Sequence, residues 1–268
     1  MAKATTTTIR VGVGGWVYEP WRGAFYPHDL PQKRELEHMS RRLTSIEING
    51  TFYRGASRDS YAKWRDETPD GFVFALKGPR YATHRRVLAE AAESIARFVD
   101  GGLVELGDKL GPINWQFPPT KRFEPDDFAA FLDLLPKSVE GRTLRHAVEA
   151  RHDSFRTAEF VALARKKRVA IVVAGDSEYP QIADPTADFV YARLMGTQEK
   201  ARLGYAPTAL DAWAARARAW AAGGAPGDLP LLANSVAAPP GRDVFLYVIS
   251  GFKVRNPAAA EALIKRLR

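Results

Sequence analysis

The chain has 268 residues, long enough for two ordinary domains but also the size of a single eightfold barrel, which typically needs about 250. Its 39 basic and 31 acidic side chains give a formal net charge of +8, which favours anionic partners such as phosphate esters or nucleic acid. Cysteine is absent, which excludes disulfides, cysteine nucleophiles and thiolate metal sites, and no apolar run approaches the ~18–20 residues of a membrane span, so the expected setting is the cytoplasm.

In chain order, residues 1–8 are polar and read as a short disordered tail, with 9–268 as one domain. A strand-like run at 9–16 is followed by a helical pattern at 30–44, a strand at 45–49, a helix at 57–68 and a strand at 72–78. A helical stretch at 87–107 leads to a strand at 111–117, then a helix at 125–139 and a strand at 146–150. Helix 157–168 precedes strand 169–175, and segment 177–188 is too short and proline-broken for a full helix. Strand 189–196, helix 210–223, strand 243–250 and helix 257–267 complete the pattern. Strand–helix alternation implies parallel pairing through crossovers. Eight repeats predict a single (β/α)8 barrel of the TIM type, with the helix between strands six and seven short or absent. An open doubly wound sheet would alternate similarly, but Gly12-Val13-Gly14-Gly15 lacks the third glycine of a dinucleotide fingerprint, at Val17. No nucleotide cofactor is therefore expected, and these glycines read as sites of close packing. The Pro- and Gly-rich segment 225–242 would lie at the N-terminal face, away from any chemistry.

Side chains two apart on a strand share a face. Glu47 with Asn49, Ala75 with Lys77, Asn114 with Gln116, Glu149 with Arg151, and Tyr191 with Arg193 form a polar parity. The opposite parity is mostly apolar, as the helix-facing side of a barrel strand requires. The polar set should then converge inside the barrel, near the strand C-termini where barrel sites lie. Two readings compete. In one, Glu47 and Glu149 are catalytic acid–base groups, while Lys77, Arg151 and Arg193, with Asn49 and Gln116, bind an anion. In the other, the same charges simply neutralise one another. Aromatics near the first two strand ends include Trp16, Tyr18 and Tyr53, which would stack on a ring or cap the barrel. His84, His152, Asp176 and Lys253 are further candidates. A divalent metal is the weaker expectation: Glu47, Glu149, Asp176, His84 and His152 could donate, but the histidines fall on separate loops without helical spacing.

These residues also carry a family likeness. Val13-Gly14-Gly15-Trp16-Val17-Tyr18 with Trp21-Arg22-Gly23-Ala24-Phe25-Tyr26-Pro27 resembles the opening of the YecE-like family, domain of unknown function seventy-two. Further matching segments are Ile46-Glu47-Ile48-Asn49-Gly50-Thr51-Phe52-Tyr53, Thr83-His84, Leu106 to Pro112, Gln116-Phe117-Pro118-Pro119 and Val148 to Phe155. The resemblance implies a barrel and no established reaction. It also implies two departures. Arg193-Leu194-Met195-Gly196 has Met195 where the family usually has histidine, and the turn after strand eight carries Lys253 and Arg255 in place of an asparagine-rich one.

The function expected from these features is an enzyme acting on a small phosphorylated or other anionic substrate by acid–base chemistry. Hydrolase, lyase or isomerase chemistry is favoured over oxidoreduction. Two alternatives are a nucleic-acid-binding or processing protein, by fold-level analogy with apurinic-site endonuclease barrels, and a non-catalytic scaffold.

Overall fold

A computed structural model describes residues 7–234 and 241–268. Eight parallel strands close into a barrel: β1 Ile9–Gly14, β2 Ser45–Ile48, β3 Val73–Lys77, β4 Leu110–Gln116, β5 His146–Glu149, β6 Ala170–Gly175, β7 Phe189–Leu194 and β8 Asp243–Val248. Closure is made by β1 pairing with β8, Ile9 opposite Val244 through Val13 opposite Val248, and with β2, Gly12 opposite Ser45. Outside run α1 Glu35–Ser40, α2 Arg58–Asp66, α3 Ala92–Val99, α4 Pro125–Leu134, α5 Ala158–Lys167, α6 Pro207–Ala221 and α7 Asn256–Leu267. Among the described residues no helix connects β6 to β7, as the prolines of that segment predict.

Strand parity divides the core into two layers. Val11, Ile46, Phe74, Trp115, Val148 and Leu246 face outward and pack with the helices. Val73, Ala75, Ala147, Val172, Tyr191, Phe245 and Tyr247 line the interior as a separate cluster. The glycines of β1 are needed for closure: a Cβ on Gly12 would sit 2.1 Å from the Ser45 carbonyl oxygen, and one on Gly14 would sit 2.5 Å from the Asn49 amide nitrogen. Ser57 and Thr157 cap α2 and α5 by accepting from the amides of Ser60 and Phe160.

Several boundaries differ from the sequence pattern. The first strand stops at Gly14 because Gly15 turns the chain with φ of +73°. The single helix expected over 87–107 is a 3-10 turn, α3 and a second 3-10 stretch, broken where Gly102 takes φ of +101° against the stem of Arg58. The stretch 125–139 ends as helix at Leu134, and Ser138–Val139 instead pairs with Arg142–Thr143 in a small antiparallel ribbon. The pattern over 30–44 yields only a 3-10 turn, Gln32–Arg34, and α1. Of the expected tail, residues 1–6 lie outside the described residues, while the Thr8 amide donates to Asp243 and the Thr8 carbonyl accepts from the Val244 amide. Residues 235–240 of the segment at the N-terminal face also lie outside the described residues.

Candidate active site at the strand C-terminal ends

The inward parity brings one arginine between two glutamates. From β7, Arg193 reaches across the barrel to Glu47 on β2 (Nη2 to Oε1, 2.9 Å) and Glu149 on β5 (Nη1 to Oε2, 2.6 Å). Both carboxylates are wholly buried, and their remaining valences are filled. Tyr191 donates its hydroxyl to Glu47 Oε2 at 2.5 Å, Arg151 Nε donates to Glu149 Oε1 at 2.7 Å, and Asn114 Nδ2 donates to Glu149 Oε2 at 3.2 Å. Gln116 Oε1 accepts from Arg151 at 2.7 Å and from Arg193 at 3.3 Å. Arg151 also lies over the ring of Tyr179, 4.2 Å from its centre.

Such a network satisfies the rule that buried charges must be paired. Burial alone would push the Glu149 carboxyl up, but Arg193, Arg151 and Lys77 outweigh it and hold the group down at about 2. Burial likewise opposes charge on Arg193, yet Glu149 and Glu47 raise it above an ordinary arginine. Burial and Glu47 together push the Tyr191 phenol well up, so it remains a donor.

Lys77 is the exception. It projects from the end of β3, is 8% exposed, and its ammonium rests 4.1 Å above the ring of Phe52 with no hydrogen-bond acceptor or ion-pair partner among the described residues. Desolvation and Arg193 pull it down to about 8, against the opposing pull of Glu47 and Glu149. Two polar atoms of neighbouring residues, Asn114 Oδ1 and Arg193 Nε, are buried without hydrogen-bond partners.

The remaining candidates separate from this cluster. Asn49 packs over Gly14. Trp16 lies edge-on to Trp64 and Phe74, in the outer layer. Tyr18 carries the ammonium of Lys253 on its face at 4.2 Å, and Trp21 donates its indole N–H to the Lys253 carbonyl, so this trio closes the first loop. Asp176, at φ of +54°, accepts from the Trp213 indole at 2.8 Å, and the Nδ1 of His152 is engaged by Ser154. Tyr53 and His84 line a neighbouring cleft of about 730 Å³ with Thr51, Arg54, Arg80, Tyr81 and Arg85. The cleft adjoins the cluster through Thr51, whose hydroxyl donates to the Lys77 carbonyl, and through Phe52, which meets His84 edge-on. The five potential metal donors do not converge: Arg193 occupies the space between Glu47 and Glu149, and among the described residues no group of three or more such side chains could hold an ion.

Residue types alone do not single out Phe52, Asn114, Tyr179 or Tyr191. Asn114 and Tyr191 share the polar parity with Gln116 and Arg193, which is the available signal. Phe52 ends the 3-10 turn Gly50–Phe52 after β2, within a segment that resembles the family, and Tyr179 lies on the loop after β6; no strand periodicity points to either.

Comparison with known proteins fits this architecture. A segment of 123 residues is 29% identical to the protein YecE (UPF0759) of Escherichia coli K12, covering 45% of this chain and 42% of that one; the match thus spans less than half the length of the curated relative. The crystal structure of a DUF72 family protein from Thermotoga maritima superposes over 96% of this chain and 97% of its own, with a TM-score of 0.72 at 21% identity. One from Enterococcus faecalis covers 97% and 98%, with a TM-score of 0.68 at 14% identity. The family described as "Protein of unknown function DUF72" matches residues 10–268, so the chain belongs to the DUF72 family.

Proposed function

We propose that this barrel is an enzyme acting on a small phosphorylated or otherwise anionic substrate by proton transfer at the strand C-terminal ends. The observation that carries this reading is Lys77, a buried lysine whose ammonium meets the Phe52 ring but no hydrogen-bond acceptor or ion-pair partner among the described residues, beside a network in which every carboxylate oxygen is already taken. A group poised at about 8 exchanges protons readily near neutral pH. In this reading Glu149, held at about 2, stays an anion and, with Glu47, fixes Arg193. Lys77 then moves the proton. Arg54, Arg80 and Arg85, on the adjoining cleft, supply positive charge where the substrate's anionic group would enter.

A panel of sugar phosphates and small hydroxy and keto acids, followed by NMR, tests it. The wild type is expected to convert at least one member, with Lys77→Gln losing about 10²–10⁴ in kcat while still binding inorganic phosphate. Turnover unchanged in Lys77→Gln, or no turnover and no phosphate binding in the wild type, overturns the reading.

One feature favours a second reading, nucleic-acid binding. The cleft places exposed Tyr53 and Tyr81, 61% and 60% accessible, beside Arg80, Arg54 and Arg85. Stacking surfaces within a basic groove suit a single strand. Affinity for a single-stranded oligonucleotide should then fall steeply with salt and weaken in Arg80→Ala. No binding at low salt removes it.

A further inference from the structure

We infer that Lys77 is an amine nucleophile, which condenses with the aldehyde or ketone group of an anionic substrate to form an imine. This rests on the anionic-substrate site proposed above and names the reactive group of its substrate. Among the described residues no other lysine is buried. Lys77 stands on a rigid strand end rather than a mobile loop, its backbone fixed by pairing with Asn114 on β4 and by the Thr51 hydroxyl. A lysine buried for structural reasons normally gives its three N–H donors to oxygen atoms. The half-buried Lys109 does so in this chain, donating to the carbonyls of Arg65 and Thr68 at 2.6 Å. Lys77 gives none to the described residues, and lies on the apolar face of Phe52.

The charged groups facing Lys77 come from several elements. Arg193 on β7, Arg151 after β5 and Glu47 and Glu149 on β2 and β5 act on it, and Lys77 in turn acts on His84 after β3. Desolvation and the arginines disfavour the ammonium, so the neutral amine is on the order of a hundredfold more populated at neutral pH than in a solvated lysine. Asn114 Oδ1 on β4 and Arg193 Nε on β7, both buried and unpartnered, leave an acceptor and a donor within the barrel interior.

The step balances without a redox partner. The amine lone pair adds to the carbonyl carbon, the C–O π pair moves to oxygen, and one N–H proton passes to that oxygen to give a carbinolamine. The hydroxyl then takes up a proton and leaves as water while nitrogen forms the C=N bond. Overall, lysine ammonium and carbonyl become iminium and one water. Glu47 and Glu149, which act on Lys77 through their charge, offset part of the cost of the cation so formed.

The test uses the full chain at pH 8 with pyruvate, glyoxylate and glyceraldehyde 3-phosphate, and with acetaldehyde as an uncharged control. Sodium cyanoborohydride reduces any iminium, and peptide mapping locates the adduct. At least one anionic carbonyl is expected to label Lys77 at least about tenfold faster than any other lysine, with acetaldehyde slower and inorganic phosphate protecting. Labelling spread over other lysines with none on Lys77 overturns the imine, and the proton-transfer site survives if phosphate still binds and Lys77-dependent turnover persists. Rapid labelling of Lys77 by acetaldehyde, with no preference for anionic carbonyls and no phosphate protection, keeps the nucleophile but overturns the anionic substrate. Because the adduct is read on the wild type, the outcome does not depend on a variant that folds.

Discussion

The two ends of the barrel both contain charge, and they use it differently. At the N-terminal end Arg145 pairs with Asp243 at 2.9 Å and lies over the rings of Phe245 and Phe189, while Asp243 also accepts from the Thr8 amide. That cluster is partly open to water, with the two side chains 29% and 31% accessible, and the arginine has an acceptor and two aromatic faces. At the C-terminal end Arg193, Glu47 and Glu149 are almost entirely buried and joined in ion pairs, while Lys77 beside them is also buried but has no ion-pair partner among the described residues. One end commits its charges to closing the barrel. The other leaves Lys77, buried to 8% exposure, outside the ion pairs, its ammonium over the Phe52 ring, at a cost to stability that folding alone does not require.

The largest expected effect comes from breaking the buried network. Arg193→Met leaves two carboxylates facing each other and should cost about 3–5 kcal/mol in urea unfolding at pH 7. Adding Glu47→Gln and Glu149→Gln should recover part of it; a cost below about 1 kcal/mol would remove the distinction between the ends. Next comes the acid limb. The folded Glu149 sits at about 2, below its ordinary value of 4.5, so its contribution is present above 4.5 and is lost as pH falls through about 2. Unfolding free energy should decline by up to about 3 kcal/mol across that window, and Glu149→Gln should flatten this part of the profile.

Lys77 has the opposite sign at the other side of neutrality. Its folded value of about 8 lies below the ordinary 10.5, so the unfolded chain binds the proton more tightly and burial is penalised below pH 8. The penalty is relieved as pH rises from 8 to 10.5. Lys77→Met should therefore stabilise the protein by about 2 kcal/mol at pH 7, and the gain should shrink towards pH 10.5. A destabilised Lys77→Met would show that the amine contributes to the fold. The smallest effect belongs to the open end: Arg145→Met should cost about 1 kcal/mol, less in high salt, and leave phosphate binding unchanged.

Much of this is legible in the sequence. Strand count, the parity that points Glu47, Glu149 and Arg193 inward, and the missing helix after β6 all follow from local pattern and proline placement. The partner choices do not. Lys77, Arg151 and Arg193 are equivalent cations until closure fixes which of them meets a carboxylate, and that depends on register across strands far apart in the chain. Asp176 looks like a ligand at a strand end, yet it accepts from Trp213 on α6, a contact no spacing rule predicts. The helix breaks at Gly102 and after Leu134 are marked locally, by Gly101-Gly102 and by Pro136, and an apolar pattern read across the whole stretch passes over them.

The absent helix between β6 and β7 has a consequence for cooperativity. That sector is roofed by the strap containing Ile182 and Ala183, and the strap is held by later chain: Asp184 accepts from the amides of Leu232 and Ala233, and the Ala183 amide donates to the Pro230 carbonyl. Elsewhere a repeat covers itself with the helix that follows its own strand, whereas here the cover depends on chain 48 and 49 positions downstream. Amide exchange at Leu232 and Ala233 should therefore rise and fall together with opening of the β6–β7 wall, making this stretch a single unit that yields before the rest of the barrel.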